Sequence, residues 1–181
     1  IASDIESNLL IILKLISSAY VQILRGTPLF VQVYIIYYGF PQLGFDFPDI
    51  GPISSKFIAG AFALSINSSA YVAEIFRSGI QSVDKGQMEA SRSLGLGYKD
   101  TMRFVIVPQA VKNVLPALAN EFITLVKESS VLSVIGTQEL MFKAGIVVTA
   151  IYSPMEPYLV AAATYLVITS ILSKLVGMLE K

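Results

Sequence analysis

Long apolar stretches separated by short polar segments dominate the chain. Three of these stretches, residues 57–76, 104–126 and 157–173, contain at most two charged side chains each. Each is close to the ~20 residues that an α-helix needs to cross a hydrocarbon core of ~30 Å. The pattern therefore predicts three membrane-spanning helices.

A fourth spanning helix is predicted at residues 28–40, because Thr27 suits an N-cap and Pro28 suits the first helical position. A helix of this length supplies only ~20 Å, so we expect it to extend back through residues 20–24. The kink expected in such an extension lies at Gly26 and Pro28.

Two further segments have mixed character. Residues 9–24 are apolar but carry Lys14 near their centre, which allows either a poor spanning helix or an interfacial one. We favour an interfacial segment on the cytoplasmic side that leads into the helix at Pro28. Residues 130–142 predict a short helix packed on the outer half of the bundle.

Composition supports an all-α integral membrane protein. The hydrophobic fraction is 54% and the charged fraction 14%, whereas soluble proteins carry about 25% charged residues. A formal net charge of zero argues against nucleic acid as a partner, since phosphate binding needs a basic surplus. The chain has no cysteine and no histidine, which removes thiolate and imidazole chemistry from it.

The distribution of basic residues predicts the topology. Residues 77–112 contain six lysines and arginines, whereas residues 41–53 contain none. The positive-inside rule then places residues 77–112 in the cytoplasm and residues 41–53 outside.

The cytoplasmic loop carries signals for a helix of about three turns within residues 84–97. Asp84 followed by Gln87 is a variant of the capping box at the N-terminus. Gly95 or Gly97 can supply the left-handed residue that ends a helix. One face of this helix holds small side chains and one leucine: Ala90, Ser91, Leu94 and Gly95.

Two roles for this loop helix can be compared. An amphipathic helix lying on the bilayer surface needs a wide face of large apolar side chains, and this helix lacks one. Small side chains instead allow another surface to approach closely, so a docking helix for a soluble partner fits better.

The loop also resembles the EAA motif of ABC importer permeases, in which Glu-Ala-Ala is followed at fixed spacing by Gly, then by Ile, and then by Leu-Pro. Here the matching residues are Glu89, Ala90, Ser91, Gly95, Val105, Val107 and Pro108. Departures at Ser91, Val105 and Val107 are small or conservative. Four further blocks resemble the polar amino acid uptake branch: residues 25–32, 67–81, 115–123 and 130–136.

The resemblance covers roughly residues 20–180 and implies a MetI-like type I ABC importer permease, with residues 1–181 forming one transmembrane domain. Family members usually have five spanning helices, so with about four visible here we expect the first to precede residue 1. The resemblance also implies a multi-pass protein in the plasma membrane of a prokaryote.

The resemblance further implies a set of partners. Two permease subunits form the path, with a homodimer favoured over a heterodimer, and an extracytoplasmic binding protein delivers an amino acid. ATP and Mg²⁺ belong to partner ATPase subunits, because this chain has no G-x-x-x-x-G-K-[ST] phosphate loop and is not itself an enzyme. The expected ATPase-coupling residues are Asp84, Glu89, Ala90, Ser91, Leu94 and Gly95.

Candidate substrate contacts are intramembrane polar residues, which are costly in lipid and therefore functional by default. They are Asn67, Ser68, Tyr71 and Glu121. Glu121 favours a cationic group such as the ammonium of an amino acid, and its structural alternative is a salt bridge to Lys112 or Lys127. Ser68 suits helix packing, and Asn67 is balanced between helix–helix contact and ligand contact.

Three other interpretations concern Glu74 and the class of function. Glu74 lies three residues before Arg77, so an ion pair within one helix is its simplest explanation. A secondary carrier or channel without an ATPase is the alternative function, but it leaves the capped loop helix unexplained. An intramembrane enzyme is disfavoured, since no spanning segment carries a pair of carboxylates.

Overall fold

The chain is all-α, as predicted, throughout the part that the structure describes. This structure is a computed structural model that describes the backbone of residues 2–179 and the side chains of residues 8–178. The α-helices are α1 (Ala2–Gly26), α2 (Leu29–Tyr34), α3 (Ser55–Gln81), α4 (Lys85–Ser93), α5 (Tyr98–Thr101), α6 (Val107–Glu128), α7 (Leu140–Ile151) and α8 (Met155–Leu179).

Three helices are long and apolar enough to cross a membrane by themselves. They are Asn8–Gly26 within α1, the whole of α3, and Met155–Met178 within α8. The segment Tyr98–Ile135 joins Leu140–Ile151 through a bend of 49°, and counts as a fourth crossing if the pair is one broken span. The prediction of about four crossings therefore agrees with the structure.

The N-terminal part differs from the prediction in where the long helix lies. α1 is continuous to Gly26, and its residues 8–26 are long and apolar enough to span, which supports the spanning alternative over the interfacial segment that we favoured. α2 continues only through a π-turn (Ile35–Gly39) and a 3₁₀ turn (Phe40–Leu43), which is too short to span alone. The expected interruption at Gly26 and Pro28 is confirmed.

The first turn of α2 corrects a second detail. Pro28, with φ −62° and ψ 135°, is the N-cap, and no side chain caps the helix. Thr27 does not cap α2; its hydroxyl donates to the Ile23 carbonyl at 2.8 Å.

The chain divides into two compact units, of which the first comprises residues 1–71 and 131–138. Its core is an apolar cluster of buried residues: Val33, Ile36, Ala63, Leu132 and Ile135. A Cβ on Gly60 would lie 2.8 Å from Leu132 Cδ1, so glycine lets this leucine reach the backbone of α3.

The second unit comprises residues 72–130 and 139–181. In it α8 packs on both α6 and α7. Glu139 caps α7 by accepting hydrogen bonds from the backbone of Met141 at 2.7 Å and of Phe142 at 2.6 Å. The Tyr165 hydroxyl of α8 donates to the same carboxylate at 3.0 Å, which ties α8 to the start of α7.

The helix predicted at residues 130–142 is not one element. A 3₁₀ helix (Ser129–Ile135) ends at Gly136, whose φ of +77° is left-handed. α7 begins only at Leu140 and continues to Ile151. Glycine at position 136 therefore divides a segment that its apolar composition alone had suggested was continuous.

Candidate coupling and substrate sites

The start of the predicted coupling helix is confirmed at α4. Asp84 is its N-cap, with φ −56° and ψ 131°, and Oδ1 of Asp84 accepts from the Gly86 backbone at 2.6 Å. The Gln87 amide donates to the Asp84 carbonyl at 3.0 Å. An N-terminal donor that would otherwise lack a partner is thereby satisfied.

The end of α4 is built by Gly95, which is left-handed with φ +89°. The Leu96 amide donates to the Ser91 carbonyl at 3.2 Å, and the Gly95 amide donates to the Arg92 carbonyl at 3.0 Å. These two bonds form a Schellman motif. Gly97 has φ −67° and instead precedes α5, so α4 has nine residues and is shorter than the predicted three turns.

The exposed side chains of α4 are those that a partner could contact. Leu94 is 82% exposed, and Glu89 and Ala90 are exposed as well. Ser91, by contrast, is 5% exposed, and its hydroxyl bonds to the Gln87 carbonyl, so its side chain is not presented to a partner. The face that holds Ser91 is occupied because α4 packs on α5 and on the following π-turn (Met102–Ile106).

The predicted substrate residue Asn67 is buried on α3, with 3% exposure. Its Nδ2 donates to Oε1 of Gln32 on α2 at 2.9 Å. Of the two roles left open for Asn67, helix–helix contact is the one with a partner in the structure.

Gln32 is a residue that the sequence interpretation missed. Its Nε2 donates to the Leu24 carbonyl at 2.7 Å and to Oγ1 of Thr27 at 2.8 Å. The carbonyl of Leu24 lies where α1 ends before Pro28, so Gln32 satisfies a backbone group that the interruption frees. The sequence signal that could have indicated this role was a single amide side chain in an apolar stretch, one turn after a proline.

Ser68 and Tyr71 lie on α3 in the same unit as Asn67. Ser68 is 7% exposed, in keeping with a role in helix packing. The Tyr71 ring is half-buried, and the Arg25 guanidinium carbon lies 5.4 Å from its centroid. This distance fits a cation–π contact. The Tyr71 ring therefore already contacts a cationic side chain of the protein.

Glu121 lies on α6, in the second unit, and is half-buried. It interacts electrostatically with Glu128, seven residues on and also half-buried. The spacing places both carboxylates on one face, two turns apart. The predicted span ended at residue 126 and so missed Glu128; in the structure α6 carries a pair of carboxylates.

The ion pair expected within α3 is confirmed. Arg77 Nε donates to Glu74 Oε2 at 3.0 Å, and a second guanidinium nitrogen contacts the other carboxylate oxygen. Arg77 also donates to Gln81 Oε1 at 2.8 Å. The ion pair with Arg77 is therefore sufficient to explain why a carboxylate stands at Glu74.

The Asn67–Gln32 contact gives a testable stability effect. Asn67→Ala is expected to destabilise the permease by about 1 kcal/mol, which is typical of one interhelical hydrogen bond inside a membrane. The measurement is the apparent Tm in one detergent. Ser65→Ala is the control, because Ser65 is exposed and donates only within α3, to the Ala61 carbonyl. Equal Tm values for the two variants would contradict the structural role of Asn67.

Three or four helices that could cross a membrane, with a capped and exposed helix in a polar loop, define the class of this protein as a polytopic membrane protein. Residues 6–181 match the family described as "Binding-protein-dependent transport system inner membrane component". The chain belongs to that family.

Individual relatives agree with the family. A putative glutamine transport system permease protein, GlnP, of Rickettsia conorii is 42% identical over 93% of this chain and 75% of its own. The arginine transport system permease protein ArtQ of Bacillus subtilis is 44% identical over 87% of this chain and 69% of its own. The crystal structure of an amino acid ABC transporter with histidines has a TM-score of 0.84 and 51% identity, covering 92% of this chain and 75% of that one.

These comparisons confirm the resemblance to ABC importer permeases and the MetI-like fold. The relatives are permease subunits and not enzymes. A secondary carrier or channel that works without an ATPase has no support among them.

Proposed function

We propose that this chain is the membrane subunit of an ATP-driven importer that moves a polar amino acid into the cytoplasm by alternating access. The observation that carries the proposal is α4. It is a helix closed at both ends by the cap of Asp84 and the turn at Gly95, and it exposes Leu94. Such an element can transmit force from a partner because neither end can unwind without losing hydrogen bonds.

The proposed contact with the ATPase uses one apolar and one acidic side chain. Leu94 would fill an apolar cleft on the partner, and Glu89 would pair with a cation at its rim. ATP and Mg²⁺ would bind to that partner, which closes on nucleotide and moves α4. Buried apolar anchors surrounded by polar contacts are the usual source of affinity in such interfaces.

The proposed substrate is an amino acid, supported by the names of the relatives, which specify glutamine and arginine. Glu121 would attract the ammonium group common to all amino acids, and Glu128 on the same face adds to the negative field. A preference for basic amino acids follows if both carboxylates act, since each cationic group then has a counter-charge. The proposed substrate contacts also include Asn67, Ser68 and Tyr71, which we expect to contribute less than Glu121.

The proposed assembly has two permease subunits, with identical chains favoured, and two ATPase subunits on the cytoplasmic side. An amino acid-binding protein would deliver substrate on the opposite side. The excess of basic residues at 77–112 supports this orientation in the plasma membrane of a prokaryote.

Co-purification tests the function directly. The permease is co-expressed with candidate ABC ATPases, isolated in detergent and reconstituted with an amino acid-binding protein. We expect one ATPase to be retained, and its turnover to rise with a subset of a panel of amino acids that includes glutamine, arginine and histidine. Retention of no ATPase together with unimpaired uptake would refute the proposal and favour a secondary carrier.

The substrate role of Glu121 is tested by Glu121→Gln, which keeps the size of the side chain and removes its charge. We expect uptake to fall about tenfold while ATPase retention is unchanged, since one charge-assisted contact is worth roughly 1.5–3 kcal/mol. Initial uptake rates in proteoliposomes are the measurement. Glu74→Gln is the control, because Glu74 is already paired with Arg77. Normal uptake by the Glu121 variant would exclude the role.

A further inference from the structure

A lysine in the first unit lines a cavity that the transport mechanism above does not use. The cavity has a volume of about 600 Å³ and lies where the segment before α3 meets the turn at Gly136. Its polar lining includes Lys56, Thr137 and Gln138. A volume of this size is within the ~300–1,000 Å³ typical of small-molecule sites.

Lys56 is unusual in its position and its surroundings. It is the one basic residue between positions 26 and 76, and it follows directly on the loop predicted to lie outside. A lysine there runs against the positive-inside bias. Lys56 is half-buried, yet its ammonium makes no hydrogen bond or ion pair with any side chain in the described part of the chain.

The side chain of Lys56 lies against the turn at Gly136. Lys56 Nζ lies 2.8 Å from the position that a Cβ of residue 136 would occupy, and the left-handed φ of +77° also requires glycine there. Buried Thr137 contacts the Lys56 carbonyl, with its hydroxyl donating at 3.4 Å. Backbone and side chain of Lys56 therefore both lie next to the turn at residues 136–137.

The polar side chains just before Lys56 are used at the start of α3. Asp49 Oδ1 accepts from the Ser55 amide at 2.6 Å and so serves the start of α3. Ser54 Oγ accepts from the Phe57 amide at 3.3 Å. A lysine that lines a cavity and makes no ion pair in the described part of the chain can bind an anion there through charge-assisted hydrogen bonds.

We propose that this cavity is an outer carboxylate subsite, in which Lys56 binds the α-carboxylate of a free amino acid before the acid enters the translocation path. The proposal rests on the proposed function for the identity of the ligand. The site is separate in chemistry from Glu121, which would attract the opposite end of the same zwitterion.

The test is the reactivity of Lys56 in the permease–ATPase complex in phosphatidylcholine nanodiscs. The complex is treated briefly with an amine-acylating reagent, and each lysine is quantified by mass spectrometry. The ligands are glutamine and arginine, each compared with its methyl ester, which lacks the carboxylate. We expect each amino acid at saturation to slow acylation of Lys56 severalfold relative to Lys174 in the same sample, because an ammonium held by a carboxylate is shielded from the reagent, and the esters to have no such effect. Lys174 is the internal control, because the free amine of every ligand also consumes the reagent and slows all lysines alike.

Three results would overturn the proposal: no protection of Lys56 by any amino acid, equal protection by the methyl esters, or protection only by an added binding protein. A second variant, Gly136→Ala, should abolish protection while Lys174 reactivity is unchanged, because the added Cβ displaces Nζ. Acylation of Lys56 can be measured without transport. Loss of ATPase coupling, which would refute the proposed function, is measured in a separate experiment, so the two failures can be distinguished.

Discussion

Replacement of Gly95 by valine is expected to release the ATPase from the permease. Gly95 has φ +89°, with no atom within 4 Å of an added Cβ, so the penalty is in the backbone alone. A left-handed conformation costs an ordinary residue ~1–2 kcal/mol and a β-branched one more. The Schellman bonds would break, and Leu94, the exposed side chain next to Gly95, would change direction. We expect at most about a tenth of wild-type ATPase to be retained in detergent, since ~1.4 kcal/mol is tenfold in affinity.

A neighbouring glycine provides a matched control for this experiment. Gly97 has φ −67°, and a Cβ there would make only an ordinary contact, 3.8 Å from Asp100 Oδ2. Gly97→Ala should therefore retain the ATPase at the wild-type level, and Gly95→Ala should be intermediate. If Gly95→Val retains the ATPase and transports normally, the end of α4 is not the coupling element.

Features that depend on a few consecutive residues could be predicted from sequence. The cap at Asp84 and the turn at Gly95 involve partners within five positions along the chain, so local chemistry decides them. The apolar helices α3 and α8 follow from length and hydropathy in the same way.

Features that depend on distant residues could not be predicted. Asn67 and Gln32 are 35 positions apart, and Ser91 is buried by α5 and the π-turn that follow it. Residues 9–24 were ambiguous for another reason. Lys14 suggested an interface, but one charged side chain leaves the segment apolar enough to span, and α1 ends only where Pro28 cannot continue it.

Introduction of a single methyl group at Gly79 is expected to destabilise the second unit strongly. A Cβ at Gly79 would lie 2.2 Å from Val114 Cγ2 and 3.4 Å from the Ala110 carbonyl oxygen. Val114 is 3% exposed, and its β-branched side chain is stiff, so it cannot move aside without a shift of α6. Gly79→Ala is expected to lower stability by ~3 kcal/mol, at the upper end of the range for overpacking, and this is measured as a loss of apparent Tm.

The sign of this effect separates close packing from helix propensity. Alanine is intrinsically better than glycine inside a helix by about 1 kcal/mol, so a site with free space should gain stability. Gly145 of α7 is such a site, with no atom within 4 Å of an added Cβ, and Gly145→Ala should leave Tm unchanged or raise it. The double variant Gly79→Ala/Val114→Ala should recover most of the lost stability, because the second change removes the methyl group that the first one meets. Failure of this rescue would mean that α3 and α6 do not pack at Gly79.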